Sequence, residues 1–118
     1  MTTLRSLALC SALLLGAAPI AAQKLAGHYE MVGKPEITML IVPSLINNLH
    51  IALVFLDGEV LPEETAIYTE PVNGVFPWRN APGNEGNTTI RPDGSLHDEV
   101  RTGPNAGHTT DWQPVQGH

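Results

Sequence analysis

The sequence predicts a mainly β protein: a small antiparallel sheet or partial barrel built from hairpins, with a cleaved N-terminal signal helix and a flexible Gly/Pro-rich C-terminal segment. Two observations carry the β prediction. Short β-branched runs are bounded by prolines, as Glu36–Val42 is by Pro35 and Pro43. Asp57-Gly58 and Pro92-Asp93-Gly94 are hairpin signals, because glycine accepts positive φ at no steric cost. The 11 glycines and 10 prolines, most of them in the second half, favour short strands and a flexible end.

The first 22 residues have the pattern of a secretory signal peptide. Arg5 supplies a positive start, Leu7–Ala18 is small and apolar, and small residues lead to Gln23. This apolar run is shorter than the about 20 residues that a membrane-spanning helix needs. We expect cleavage after Ala22, with Ala21 and Ala18 as alternatives, and therefore a protein exported to the periplasm or the extracellular space.

The composition of the chain argues against some functions. The chain has 6 Lys and Arg against 12 Asp and Glu, a net charge of −6, which argues against nucleic-acid binding. Cys10 is the only cysteine and lies in the core of the signal, where a lipid-modified cysteine is not expected. The exported chain therefore has no disulfide to stabilise it.

The aliphatic half of the chain predicts strands. Residues 25–32 are expected to form an edge strand with Tyr29 and Met31 on one face, followed by a buried strand over Glu36–Val42. Residues 44–56 fit either a helix or a turn at Asn47-Asn48 with a strand that pairs back. The β-forming residues there and the Asp57-Gly58 turn favour strands. A membrane span over 37–56 is disfavoured by its central proline and polar residues.

The second half contains weaker signals. Glu63–Trp78 alternates and then turns at Asn73-Gly74, and its prolines predict pairing at a sheet edge. Residues 80–87 are expected to be a loop, Thr88–Val100 a hairpin, and 101–118 a flexible tail. The predicted organisation is a signal peptide at 1–22, a small β-rich domain at 23–79, and a polar hairpin with a tail at 80–118.

The stretch "KLAGHYEMVG", followed by an acidic residue and an apolar strand, resembles the start of certain short exported bacterial β-rich proteins of unknown function. These begin with Leu-Ala-Gly-x-Tyr-Glu directly after the signal. Their later acidic-Ala-x-Gly-x-Trp stretch is matched here by "LPEETAIY", without the Gly and the Trp. The resemblance covers about residues 24–40 and 53–68. It implies a small β-sheet protein, and no site residue is carried over from it.

The histidines are the candidate chemical groups. His97, Asp98 and His108, with His28 as a further ligand, offer the nitrogen and oxygen atoms that Zn²⁺ accepts. No tight His pair at i, i+2 or i, i+4 is present, so ordinary exposed polar residues are the competing interpretation.

The leading functional hypothesis is an exported small binding or interaction protein without a catalytic constellation. Its partner is a protein, a small apolar ligand or a second copy of itself, because the region 37–61 is more hydrophobic than a small chain can easily bury. It is expected to have no stable membrane span after signal removal. The alternative is a small metal-binding protein or metal-dependent enzyme that uses His97, Asp98 and His108. A third hypothesis is that the downstream half has no selected structure.

Overall fold

A computed structural model describes residues 24–47 and 49–115 of the chain. These residues form a mainly β structure, as predicted, and its only helical element is a 3-10 turn at Pro62–Glu64. The predicted signal peptide lies outside the described residues. The strands are β1 (Gly27–Met31), β2 (Lys34–Pro43), β3 (His50–Leu56), β4 (Glu59–Val60), β5 (Ala66–Tyr68), β6 (Val75–Asn80), β7 (Glu85–Ile90), β8 (Leu96–Thr102) and β9 (Thr109–Pro114).

Eight of these strands close into an antiparallel barrel. The order around the barrel is β1, β2, β3, β5, β6, β7, β8 and β9, while β4 pairs only with the end of β3. Closure comes from β9, which pairs with β8 on one side and with β1 on the other. The expectation that β1 lies at an edge is therefore wrong, since a closed barrel leaves its strands no free edge.

Local turn chemistry sets the hairpins, and these predictions are confirmed. Asp57 and Gly58 have φ of 51° and 85°, so both central residues of the β3–β4 turn are left-handed, as a type I′ turn requires. Asn73 and Gly74 repeat this at φ of 53° and 79° before β6. The strand interpretation of residues 44–56 is also confirmed, because β3 pairs with β2 over its whole length.

Strand β6 pairs on both sides, although its proline predicted a sheet edge. Pro77 lies opposite Asn87 of β7, and its carbonyl accepts a hydrogen bond from the Thr69 amide at 2.9 Å. In an antiparallel ladder the N and O atoms of one residue point to the same neighbour. The Pro77 nitrogen, which has no hydrogen to donate, therefore faces Thr69, one residue beyond the end of β5 at Tyr68. No hydrogen bond within β5 itself is lost.

The C-terminal stretch is not wholly a flexible tail. Thr109–Pro114 forms β9, with Trp112 opposite both Leu96 of β8 and Met31 of β1. The expectation that this stretch has no structure is therefore wrong. Trp112 is the one large apolar residue of β9, so the sequence of this strand shows no alternation that would predict it. The barrel also crosses the predicted boundary at residue 80, where β6 pairs with β7.

The core fills only one end of the barrel. Leu25, Ile41 and Leu96 are almost fully buried there, together with Tyr29 and Ile90. The Tyr29 hydroxyl donates a hydrogen bond of 2.8 Å to the carbonyl of Leu25, which holds the segment before β1 across this end. Among the described residues, no helix is long and apolar enough to span a membrane. The opposite end of the barrel is open.

Candidate ligand-binding cavity

A cavity of about 800 Å³ occupies the open half of the barrel. It forms where several inward positions carry small side chains, above all Ala52 of β3 and Ala66 of β5. An eight-stranded barrel is just wide enough either to be filled by side chains or to hold one small ligand. The wall combines polar residues, many of them near the opening, with apolar and aromatic ones, the latter being Met31, Ile37, Met39, Val54, Leu61, Val100, Tyr68, Trp78 and Trp112.

Trp78 reaches its place because Gly86 faces it from β7. A Cβ atom at Gly86 would overlap the Glu99 carbonyl oxygen and would lie about 2.5 Å from a carbon of the Trp78 indole. Real Cβ atoms essentially never approach that closely. Glycine at this strand position therefore lets the indole lie against the backbone of the barrel wall.

A chain of hydrogen bonds ends on Asp98 in the wall of the cavity. The indole Nε1 of Trp78 donates to Asp98 Oδ1 at 2.7 Å, and the Thr88 hydroxyl donates to the same oxygen at 3.1 Å. Because Thr88 gives its only hydroxyl proton to Asp98, the Tyr68 hydroxyl is the donor in its 3.0 Å bond to Thr88 Oγ1. The two hydrogen bonds to Oδ1, from Trp78 and Thr88, fix the orientation of the Asp98 carboxyl group.

Burial sets the ionisation of this group. It raises the pKa of Asp98 from its ordinary value of 3.8 to about 6. The hydrogen bonds from Trp78, Thr88 and the Glu99 backbone, and the charge of His97, act in the opposite direction with smaller effect. Burial, reinforced by the charge of Asp98, also raises the pKa of Tyr68, which stays a neutral phenol. At pH 7 the cavity therefore contains a mostly ionised carboxylate beside a neutral hydroxyl.

The Trp112 side chain is only 4% exposed and lines the cavity. Within the described part of the chain, its indole Nε1 exposes almost no surface and has no hydrogen-bond acceptor. A buried donor without an acceptor costs about 1–3 kcal/mol. This nitrogen therefore lies behind the cavity wall, and the ring of Trp112 contributes apolar surface to the cavity.

The mouth of the cavity is held by asparagines. Asn84, itself buried, donates from its side-chain amide to Asn105 Oδ1 at 3.0 Å and accepts from the Asn105 backbone amide at 2.8 Å. The Asn80 side chain accepts a further bond from the Asn84 backbone amide at 3.1 Å. These bonds tie the β6–β7 turn to the β8–β9 loop, so two of the loops around the opening are fixed to each other.

The residues predicted as zinc ligands lie in different places. His97 and Asp98 are neighbours on β8, so their side chains point to opposite sides of the barrel wall, His97 outward and Asp98 inward. His108 lies in the β8–β9 loop at the cavity mouth, and His28 is exposed on β1. Within the described ranges, no group of three or more His, Cys, Asp or Glu is placed to hold a metal ion. Zinc binding remains a prediction.

His97 belongs instead to a polar cluster on the outer surface. Its Nδ1 lies 2.8 Å from Asp111 Oδ1, and Arg91 Nη2 lies 3.0 Å from the same oxygen. The hydrogen bonds from His97 and Arg91 hold the pKa of Asp111 below its usual value. All three side chains are more than a third exposed, so this cluster is a solvated surface feature that contributes little to stability.

Sequence reasoning named Asp98 but placed it in the wrong surroundings. The signal that could have shown its burial is the alternation in β8, where Asp98 shares a face with Leu96 and Val100. Thr88 and Trp112 were not singled out as site residues. They come from separate strands, and only the closed barrel brings them to one cavity.

Comparison of the chain with protein-family models, with curated proteins and with solved structures gives no match in any of the three. The functional argument therefore depends on the geometry of the cavity.

Proposed function

We propose that this protein is an exported binding protein that holds one small, mainly apolar molecule inside its barrel. The observation that carries the proposal is the cavity of about 800 Å³, which is closed at one end by the core and open at the other. Small-molecule sites in proteins are concave and mostly apolar, with volumes of about 300–1,000 Å³ and a few convergent polar groups. The cavity has a volume in this range and combines an apolar inner wall with convergent polar groups.

The polar groups of the cavity suit orientation of a ligand. Asp98 Oδ1 is held in place by hydrogen bonds from Trp78 and Thr88, and Asn84 and Asn105 lie at the mouth. The apolar wall supplies the binding free energy, at roughly 25 cal/mol per Å² of apolar surface removed from water. A few fixed polar groups in such a wall select among ligands of similar size. The proposal assigns no reaction to the cavity.

Two adjacent residues of β5 provide a matched test, because one faces the cavity and its neighbour faces solvent. Ala66→Phe places a ring inside the cavity, whereas Ile67→Phe changes a side chain that is 41% exposed on the outer face. Binding of the neutral apolar probe N-phenyl-1-naphthylamine is followed by its fluorescence. We expect Ala66→Phe to weaken binding at least tenfold and Ile67→Phe to leave it within twofold.

Circular dichroism establishes that both variants fold. Should Ala66→Phe fail to fold, Ala52→Leu fills the same space from β3. Failure of the unchanged protein to bind the probe would overturn the proposal. So would equal affinity in a folded cavity-filled variant, because the probe would then bind elsewhere.

A second candidate function is self-association, and a specific surface favours it. We define the apolar outer face as Leu40, Val42, Ile51, Leu53, Phe55 and Ile67, which lie on the outward positions of β2, β3 and β5. Leu40 lies opposite Leu53, Val42 opposite Ile51, and Ile51 opposite Ile67, so the face is continuous across three strands. At its end the β2–β3 loop presents Leu45 and Ile46, which are 99% and 94% exposed.

A second copy of the chain is the occupant we favour for the apolar outer face. The net charge of −6 disfavours an anionic lipid surface, which attracts clusters of Lys and Arg. Light scattering after size exclusion tests this candidate. We expect the unchanged protein and Thr89→Lys, a lysine on an exposed position of β7, to form dimers, and Ile67→Lys to be monomeric. A monomeric unchanged protein would contradict it.

A further inference from the structure

We infer that the ligand of the barrel carries a protonated amine, which pairs with Asp98. The inference rests on the ligand-binding function proposed above and names the chemical class of that ligand: a small apolar amine. The placement of three groups supports it, namely the carboxylate, the two indoles and the basic residues of the cavity.

The first step is that Asp98 lacks a basic partner. Of the described residues that line the cavity, only Lys34 and His108 carry basic groups, and both lie at the opening: Lys34 is the first residue of β2 and His108 belongs to the β8–β9 loop. The ion pairs of the described residues, from Arg91 and His97, go to Asp111 on the outer surface. A carboxylate that is partly removed from water raises the free energy of the folded protein unless an opposite charge pairs with it. A cationic ligand would supply that opposite charge.

Other titratable groups near Asp98 do not fill this role. Tyr68 of β5 stays neutral, and Glu64 at the mouth carries the same sign of charge as Asp98. His97 lies on the other side of the barrel wall, where it is paired with Asp111. An added cation is therefore the group that balances the Asp98 charge inside the cavity.

The second step concerns the two indoles. Trp78 and Trp112 both line the cavity, and Trp78 is anchored to Asp98 by its own Nε1. The Trp78 N–H donates in the plane of its ring, so this indole presents its edge to Asp98 and holds the carboxylate in place. The carboxylate is therefore the group that attracts the amine, while the two indoles supply apolar wall for the rest of the ligand.

The third step concerns acidic ligands. A ligand carboxylate would add a second negative charge beside Asp98, which disfavours its binding. The charge of the Asp98 side chain therefore favours an amine over a neutral ligand and a neutral ligand over an acid.

Three molecules with the same chain and different head groups test the inference: octylamine, octan-1-ol and octanoate. Their binding to the purified protein is measured at pH 7.5 by displacement of the neutral probe. We expect octylamine to bind at least tenfold more tightly than octanol, and octanoate to bind least. Asp98→Asn should weaken octylamine binding at least tenfold and leave octanol within threefold. Glu99→Gln, which removes a charge one residue away on the exposed face, should leave both unchanged.

The outcomes separate this inference from the function on which it rests. If the probe and octanol bind but octylamine gains nothing over octanol, or loses nothing in Asp98→Asn, the amine assignment is overturned and the binding function stands. If neither the probe nor any of the three molecules binds, both fail. A second octylamine titration at pH 5 should show weaker binding than at pH 7.5. Equal affinity at the two pH values would count against pairing with Asp98.

Discussion

Replacing Asp98 with Asn should stabilise the protein above pH 6 and have little effect near pH 4. The pKa of Asp98 is about 6 in the folded protein and 3.8 when the group is solvated, so the folded state binds more protons between these values. The stability that protonated Asp98 contributes is complete below pH 3.8 and is lost as the pH rises through 6. This difference in pKa corresponds to roughly 3 kcal/mol.

Asparagine resembles the protonated acid, and its carbonyl can still accept from Trp78 and Thr88. The variant therefore avoids the cost of an ionised group in the barrel wall. We expect a gain in the free energy of unfolding of up to about 3 kcal/mol at pH 8. For a domain of this size, each kcal/mol raises the melting temperature by roughly 4–8 °C. The gain should shrink steadily between pH 6 and pH 4.

Urea denaturation at half-unit intervals from pH 3.5 to pH 8 measures this dependence. Glu99→Gln is the control, because it makes the same change of charge at the next, exposed residue. A variant that is less stable than the unchanged protein at pH 8, or a difference that does not vary with pH, would refute the reasoning. Either result would mean that Asp98 is not held in a poorly solvated site.

Three further predictions test the barrel. Thr88→Val should cost about 1–3 kcal/mol in urea denaturation, because it leaves the buried Tyr68 hydroxyl without its acceptor; an unchanged midpoint would contradict that role. Gly86→Ala should lower the melting temperature far more than Gly27→Ala, whose new Cβ would lie 3.3 Å from the Tyr29 hydroxyl oxygen; equal effects would show that Trp78 does not need Gly86. Ending the chain at Gly107 removes β9 and should abolish cooperative thermal unfolding in circular dichroism, an expectation that a retained sharp transition would disprove.

The hairpins could be predicted from the sequence because their causes are local. Asp57-Gly58 and Asn73-Gly74 adopt left-handed φ wherever the chain must reverse tightly, and the two residues of each turn are adjacent. The same holds for the proline-bounded strand that became β2, and for the placement of Tyr29 and Met31 on one face of β1.

The closure of the barrel and the cavity depended on the tertiary structure. Closure joins β1 to β9, where residues 29–31 pair with residues 112–114. These segments lie far apart along the chain, and nothing in the local sequence of either strand indicates which strand it pairs with. Asp98 became a cavity residue because closure gave β8 an inner face, on which Trp78 and Thr88 reach it from β6 and β7. Local sequence therefore determined where the chain turns and which residues form strands. Only the closed sheet decided which carboxylate lies half-buried in the cavity wall, because burial depends on what lies across the barrel.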